Sequence, residues 1–404
     1  MTVAWNEITL GEFVTLQRGH DLPDPLRRPG NVPVMGSFGL TGYHDESKTA
    51  GPGVTVGRSG ASYGVVCYCP IDYWPLNTAL YVNDFHGNDP RFAYYFLKSI
   101  DFSAFNSGSA QPSLNRNFIH PIRVRVPDIH GQLSIAEILS SLDDKIELNR
   151  RMNETLEALA RAVFKAWFVD FEPVKAKAAG ATSFPGMPQE VFDELPSELV
   201  EGGDQEAPKG WPFKPVSELF EVNPTRRLSK GTVAPYLEMA NMPTHGHAPD
   251  EWVNRPFNSG MRFINGDTLV ARITPCLENG KTAYVDFLAD DEIGWGSTEY
   301  IVLRPKPSLP TTYAYCLART ESFREFLIQN MTGTSGRQRV SHTALVHIII
   351  AEPFPIVAQA FGELVDPWFA LVRSHKLESK TLAAIRDALL PKLLSGAIRV
   401  PSSA

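Results

Sequence analysis

"GSAQPSLNRNFIHPIRVRVPDI" (residues 108–129) leads almost at once into "LSIAEILSSLDDKIELNRRMNETLEALARAVFKAWF" (133–168). Some 226 positions later "GRQRVSHTALVHIIIAEPFPI" (336–356) leads into "AQAFGELVDPWFALVRSHKLESKTLAAIRDALLPKLL" (358–394). Each time a polar loop is followed by a β-rich run, a proline and a long helix. Counting 4-3-4-3 from Ile135 in the first helical run gives Leu139, Leu142, Ile146, Asn149, Asn153, Leu156, Ala160, Val163 and Trp167, the 3.5-residue stripe of a coiled coil. Shifting each position by 226 gives Phe361, Val365, Trp368, Val372, His375, Ser379, Leu382, Arg386, Leu389 and Leu393, with a polar pair in the same two places. Identities recur at that offset as well, among them Glu137/Glu363, Thr155/Thr381, Leu156/Leu382 and Ala162/Ala388. Two unrelated amphipathic helices are the commonplace alternative, but the coincident polar layer favours duplication. Asn149 and Asn153 are then expected to fix pairing register at some cost in stability. Pro367 removes a backbone donor inside the second helix, so a kink or late start is expected there, whereas Pro391 lies near the end.

The blocks ahead of the helices match more loosely. "VTVGR" with Arg58 pairs with "TLVAR" and Arg272, "NTALYV" with "STEYIV" through Thr78/Thr298, and "SAQPS" with "GRQRV" through Gln111/Gln338, at offsets of 214, 220 and 227. The steady rise is what loop insertions in the second copy require. Both blocks hold short β-type runs such as "ALYV", "PIRVRV", "DTLVARI" and "EYIVLR", punctuated by Gly, Pro and Asn, with helices expected at "PRFAYYFLKSI" and "TTYAYCLARTESFREFLIQ". Between the halves, 172–211 is poor in apolar residues and reads as a linker with room for one short helix. The expected organisation is block 1–130, helix 131–172, linker 173–210, block 211–352, and helix with tail 353–404.

At 404 residues, 43 % hydrophobic and 21 % charged, the chain is long enough for two or three domains with real cores. The net charge of −7 is concentrated in 131–210, and the two blocks are near neutral with 10 basic against 11 acidic and 14 against 15 residues. Charge therefore neither supports nor excludes a nucleic-acid partner. Cys67, Cys69, Cys276 and Cys316 form neither a disulfide framework nor a CxxC pair, and Cys67-x-Cys69 reads as two strand residues. With no secretory leader and no run of 18 apolar residues, a soluble cytoplasmic protein is expected.

Catalytic motifs are mostly missing. "CLENGKT" carries Gly280-Lys281-Thr282 but has Pro275 where a phosphate loop needs glycine, and the Gly-rich "GRSGASYG" precedes a strand rather than a helix. "NDPRF" and "NPTR" lack the second proline of a methyltransferase Asn/Asp-Pro-Pro-aromatic loop. Pro127-Asp128 with Asp143-Asp144-Lys145 mimics a nuclease PD…DxK string, but the second part lies on a helix beside its seam, where a solvated face is the better reading. His245-Gly246-His247 has no third ligand nearby and reads as an exposed loop.

The ordered set "GSFGLTGYHDE" (36–46), "GPGVTVGRSGA" (51–61), "YWPLNTALYV" (73–82), "SGSAQPSLNRN" (107–117), "FKAWFVDFEPVKAKAAG" (164–180), "GDTLVARITPCLENGKTAY" (266–284), "GSTEYIVLRP" (296–305) and "GTSGRQRVS" (333–341) resembles the specificity subunits of type I restriction-modification enzymes, over essentially the whole chain. The resemblance implies an α+β fold of two mostly-β target-recognition domains separated by two long antiparallel coiled-coil helices, pseudo-twofold by duplication. Each domain would read one half of a split double-stranded DNA site. The helices would act as a spacer and dock two modification subunits, which bring adenine methylation and S-adenosylmethionine; restriction-translocase subunits join in the full complex. The chain itself is then expected to be non-catalytic, with no metal and no cofactor of its own. A helix of about 34 residues is about 50 Å long, comparable with about 15 base pairs, which suits two separated half-sites.

The polar loops carry the candidate DNA contacts. In the first domain these are Ser37, Phe38, Tyr43, Arg58, Ser59, Gln111, Ser113, Asn115 and Arg116; in the second, Arg272, Thr274, Glu278, Asn279, Lys281, Arg337, Gln338 and Arg339. Arg to guanine, Gln or Asn to adenine and Lys to phosphate are the pairings that geometry favours. Any one of these residues taken singly is as readily a surface turn or an internal hydrogen bond. Two rivals stay open: a stand-alone or repurposed bipartite DNA-binding scaffold of another defence system, and an enzyme whose catalytic residues escape motif reading.

Overall fold

A computed structural model describes residues 4–105, 113–202, 205–334 and 336–400. The chain forms two compact units: residues 1–147 with 379–404, and residues 148–378. Both long helices therefore contribute to both units.

In the first unit the main sheet is antiparallel with the order Thr15–Arg18, Ala79–Asp84, Gly53–Gly57, Val66–Cys69. The second unit repeats it as Phe220–Val222, Tyr300–Pro305, Thr268–Ala271, Thr282–Tyr284. A smaller sheet sits beside each. Val32–Gly36 pairs antiparallel with Gly39–His44 and parallel with Trp74–Pro75; Val233–Leu237 likewise pairs antiparallel with Val253–Pro256 and parallel with Gly294–Gly296, and among the described residues Met261–Phe263 is added to this copy alone. A two-stranded ribbon leads to each long helix, Trp5–Thr9 with Arg123–Pro127 and Phe213–Pro215 with Ile349–Ala351.

Single hydrogen bonds repeat as well. Leu10 N–H donates to the Ile122 carbonyl as Val216 N–H does to that of Ile348, and Leu114 N–H donates to Arg58 as Val340 N–H does to Arg272. Arg58 and Arg272 are thus equivalent, as their motifs suggest. The strand pairings Gly57↔Ala79 and Ala271↔Tyr300 make Thr78 the counterpart of Glu299, not of Thr298. The Thr78/Thr298 match is thus one residue out of register, because threonine identity carries no register information and only the ladder fixes it.

The first long helix is Ile129–Phe168 and the second Pro355–Leu394, each of 40 residues, roughly 60 Å at about 1.5 Å per residue. Asp128 starts the first by accepting from the Gly131 N–H at 2.9 Å, and also binds the Ala4 N–H at 3.0 Å. The second opens on proline, where the missing donor costs nothing. It continues unbroken through Pro367, so the late start does not occur. Pro367 and Glu363, whose carbonyl loses a donor, both lie on the exposed face and are met by solvent.

Every seam position is buried or half-buried. In the first unit Ile135, Leu139 and Leu393 join the core made by Phe13, Phe92, Phe96 and the sheet. In the second, Ala160, Phe164, Trp167, Phe361, Val365 and Phe369 pack with Tyr313 and Tyr315. The polar layer forms within this unit. Asn149 donates to Glu378 at 2.7 Å, and His375 Nδ1 meets Asn153 Oδ1 at 2.8 Å. Buried polar groups must be paired, so only the antiparallel register that aligns these partners is satisfied.

The expected linker is more ordered than its composition suggests. It holds the helices Glu172–Ala178 and Gln189–Glu194 and the hairpin Leu199–Gly202 with Gln205–Pro208. Val174, Met187, Val191, Phe192, Leu195 and Ala207 enter the second unit's core, and Phe184 and Leu199 pack against it. Average composition hid a few apolar residues whose positions all meet the core.

Candidate nucleic-acid interface

The β-ladders bring Ser37, Arg58, Ser59 and Ser113 to one end of the two central strands of the main sheet. Arg58 follows the strand Gly53–Gly57; its N–H donates to the Thr78 carbonyl at 3.0 Å and its Nη1 to the Asn77 carbonyl at 3.4 Å. Ser59 pairs with Ser113 across an antiparallel bridge. The turn at Ser37 and Phe38 closes against this end: a Cβ on Gly57 would lie 2.8 Å from the Ser37 carbonyl and 1.9 Å from that of Ser62, so only glycine fits. Phe38 is 66 % exposed, and Leu40 and Tyr43 on the same hairpin are each 53 % exposed. An apolar tip of this kind suits stacking on bases or wedging between them. Asn115 is committed locally, capping the helix Arg116–Ile119 by accepting from the Asn117 N–H at 3.0 Å, and Arg116 is exposed at that helix start. Gln111 lies outside the described residues.

In the second domain Thr274 and Gln338 are locked together: the Thr274 N–H donates to the Gln338 carbonyl at 3.0 Å, and the Gln338 N–H to Thr274 Oγ1 at 3.1 Å. Arg339 bridges both Ile273 and Thr332 through its backbone. Glu299, which sequence reasoning passed over, stands between two arginines. Arg339 Nε donates to Glu299 Oε1 at 2.8 Å, and Arg272 Nε lies 3.6 Å from Oε2. Glu278, Asn279 and Arg337 are exposed. Lys281 is not available as a phosphate contact in this conformation, since its ammonium donates to the carbonyls of Met239 at 2.5 Å and Ala240 at 3.1 Å. It ties down the loop after Val233–Leu237.

The other sequence candidates resolve into structural roles. Asp143 accepts from Tyr95 at 2.7 Å and Arg386 at 2.6 Å, and Asp144 takes a bidentate pair from Arg91 at 2.8 and 3.0 Å. With Asp128 at the helix start, the nuclease-like string is a set of helix contacts. His247 is not exposed: it is buried, 2.9 Å from Asp286, with its ring 4.6 Å from that of Phe369. The histidine of an HGH loop turned inward because an aspartate and two aromatic elements offered it a partner and a stack. Cys67 and Cys69 are strand residues of Val66–Cys69, and all four cysteines are reduced. Among the described residues, no three His, Cys, Asp or Glu side chains stand together as a metal site, and no helix is long and apolar enough to cross a membrane.

Residues 2–158 match the family model described as the type I restriction modification DNA specificity domain. The chain is 24 % identical over 392 residues to the HindI type I restriction enzyme specificity subunit of Haemophilus influenzae, spanning 81 % of this chain and 82 % of that one. It is 28 % identical over 328 residues to the MjaIX specificity subunit of Methanocaldococcus jannaschii, spanning 77 % and 69 %. The crystal structure of a type I restriction-modification S subunit from M. genitalium shares the fold, with a TM-score of 0.61 at 18 % identity over 100 % of this chain and 97 % of that one.

Proposed function

As a homologue of the specificity subunits of type I restriction enzymes, this chain is, we propose, the subunit that selects the DNA site of a restriction-modification complex. Each unit reads one half of a bipartite double-stranded site. One observation carries this reading: the two units keep one backbone framework, down to single hydrogen bonds, while changing the side chains at the ends of its central strands. Arg58, Thr78 and Ser113 stand in one copy where Arg272, Glu299 and Arg339 stand in the other. A duplicated frame with diverged donors suits two half-sites of different sequence, since base edges are told apart by donor and acceptor pattern.

The chain supplies no chemistry in this proposal. Two methyltransferase subunits dock on it and bring S-adenosylmethionine and adenine-N6 methylation, restriction-translocase subunits complete the nuclease, and the assembly works in the cytoplasm. Co-expression of the tagged chain with a methyltransferase subunit tests it. The expected result is a co-purifying complex that methylates adenine at a split site, while the chain alone with S-adenosylmethionine methylates nothing. Methylation by the isolated chain, or sequence-specific binding with no methyltransferase subunit retained, would overturn it in favour of an enzyme or a stand-alone scaffold.

A further inference from the structure

We propose that Glu299 is a positioning residue for a two-arginine reading fork, holding Arg272 and Arg339 toward base edges in the second half-site, and that the first domain reads its half without such a fork. The proposal rests on the reading that this chain recognises DNA. Three backbone ties fix the fork. The Arg272 N–H donates to the Glu299 carbonyl at 3.0 Å, the Val340 N–H donates to the Arg272 carbonyl at 2.9 Å, and Arg339 is bridged to Ile273. The three residues therefore leave neighbouring backbone segments at fixed spacing, and both arginines converge on the Glu299 carboxylate.

Glu299 is 22 % exposed against 41 % for Arg339, so the Arg339 guanidinium is the more open of that pair, and its Nη1 also donates to the Arg337 carbonyl at 3.2 Å. Arg272 Nε is buried and makes no hydrogen bond among the described residues, its approach to Glu299 stopping at 3.6 Å. An exposed ion pair adds little stability, whereas a braced guanidinium has already lost the rotamer freedom that binding would otherwise consume. The carboxylate also repels phosphate, which favours a base edge as the outer partner.

The first copy supplies the internal comparison. At the same ladder positions it keeps the arginine, Arg58, but carries Thr78 for Glu299 and Ser113 for Arg339. The carboxylate and the second arginine are absent together, as expected if one exists to hold the other.

The test compares Glu299→Gln and Arg339→Ala with wild type in the methyltransferase complex. The probes are a duplex carrying the site it modifies and the same duplex with the second half-site scrambled, each titrated at two salt concentrations. Glu299→Gln should weaken cognate binding about 5- to 100-fold. It should leave scrambled binding equal or tighter, and steepen the salt dependence by about one unit as a freed arginine turns to phosphate. Arg339→Ala should lose cognate binding without that steepening. Equal losses on both duplexes, or none, in either variant would overturn the fork. Thermal melting of each variant separates misfolding from lost readout, and Arg339→Ala keeps the test decisive where Glu299→Gln melts early. A wild-type complex that fails to distinguish the two duplexes would instead overturn the DNA-recognition reading itself.

Discussion

His120 shows how a residue outside any motif can set a measurable property. Its Nε2 accepts the Leu16 N–H at 3.0 Å, a bond that only the neutral ring can take. Burial, and secondarily the charge of Arg116, hold its pKa below the ordinary 6.5. The unfolded chain thus binds the proton more readily, so this contribution to stability is full above about pH 6.5 and declines as pH falls toward the folded value. His120→Gln should flatten that decline: urea midpoints at about pH 7.5 and about pH 5.5 should differ more in wild type than in the variant. Equal differences would remove His120 as the cause. At this scale the sequence was legible in the equivalence of Arg58 and Arg272, which their shared motifs implied and the backbone ladders bear out. It misled where a partner distant in sequence decides the role. Lys281 is spent on two carbonyls, His247 is buried against Asp286, and Glu299 was hidden by a match displaced by one residue.

The long helices were the most legible elements, because a 3.5-residue stripe sustained over many turns has few other readings. Their energetics concentrate where aromatic rings meet in the second unit. Phe164 is buried with ring centroids 4.8 Å from Tyr313, 5.3 Å from Phe168 and 5.8 Å from Phe361. Phe164→Ala should cost about 3–5 kcal/mol of unfolding free energy, whereas Leu159→Ala, on the exposed side of the same helix, should stay within about 0.5 kcal/mol. Denaturant titration of both variants checks this, and a small loss at Phe164 would mean that the aromatic cluster closes over the gap. The segment after that helix was the least legible element. Its polar majority suggested a linker, yet a handful of apolar side chains spread over its helices and hairpin suffice to bind it into the core. Pro367 likewise argued against helix continuity in a way that its solvent-facing position annuls.

For the whole molecule, duplication was the feature that sequence carried best, through the shared helix offset and the order of loose block matches. What it did not carry is that both long helices are divided between the two units, at 147/148 and 378/379, since an unbroken helical period holds no mark of where packing partners change. Duplicated frames with diverged strand ends make readout modular. The direct measurement is base-resolution mapping of adenine methylation in DNA from cells that express a methyltransferase subunit with either this chain or a chimera whose residues 1–130 come from one of the type I specificity subunits it resembles. The account predicts a split motif with two different halves and a fixed unread gap for the native chain, and for the chimera a change in one half with the other half and the gap retained. A continuous motif, or a chimera that alters both halves, would contradict it.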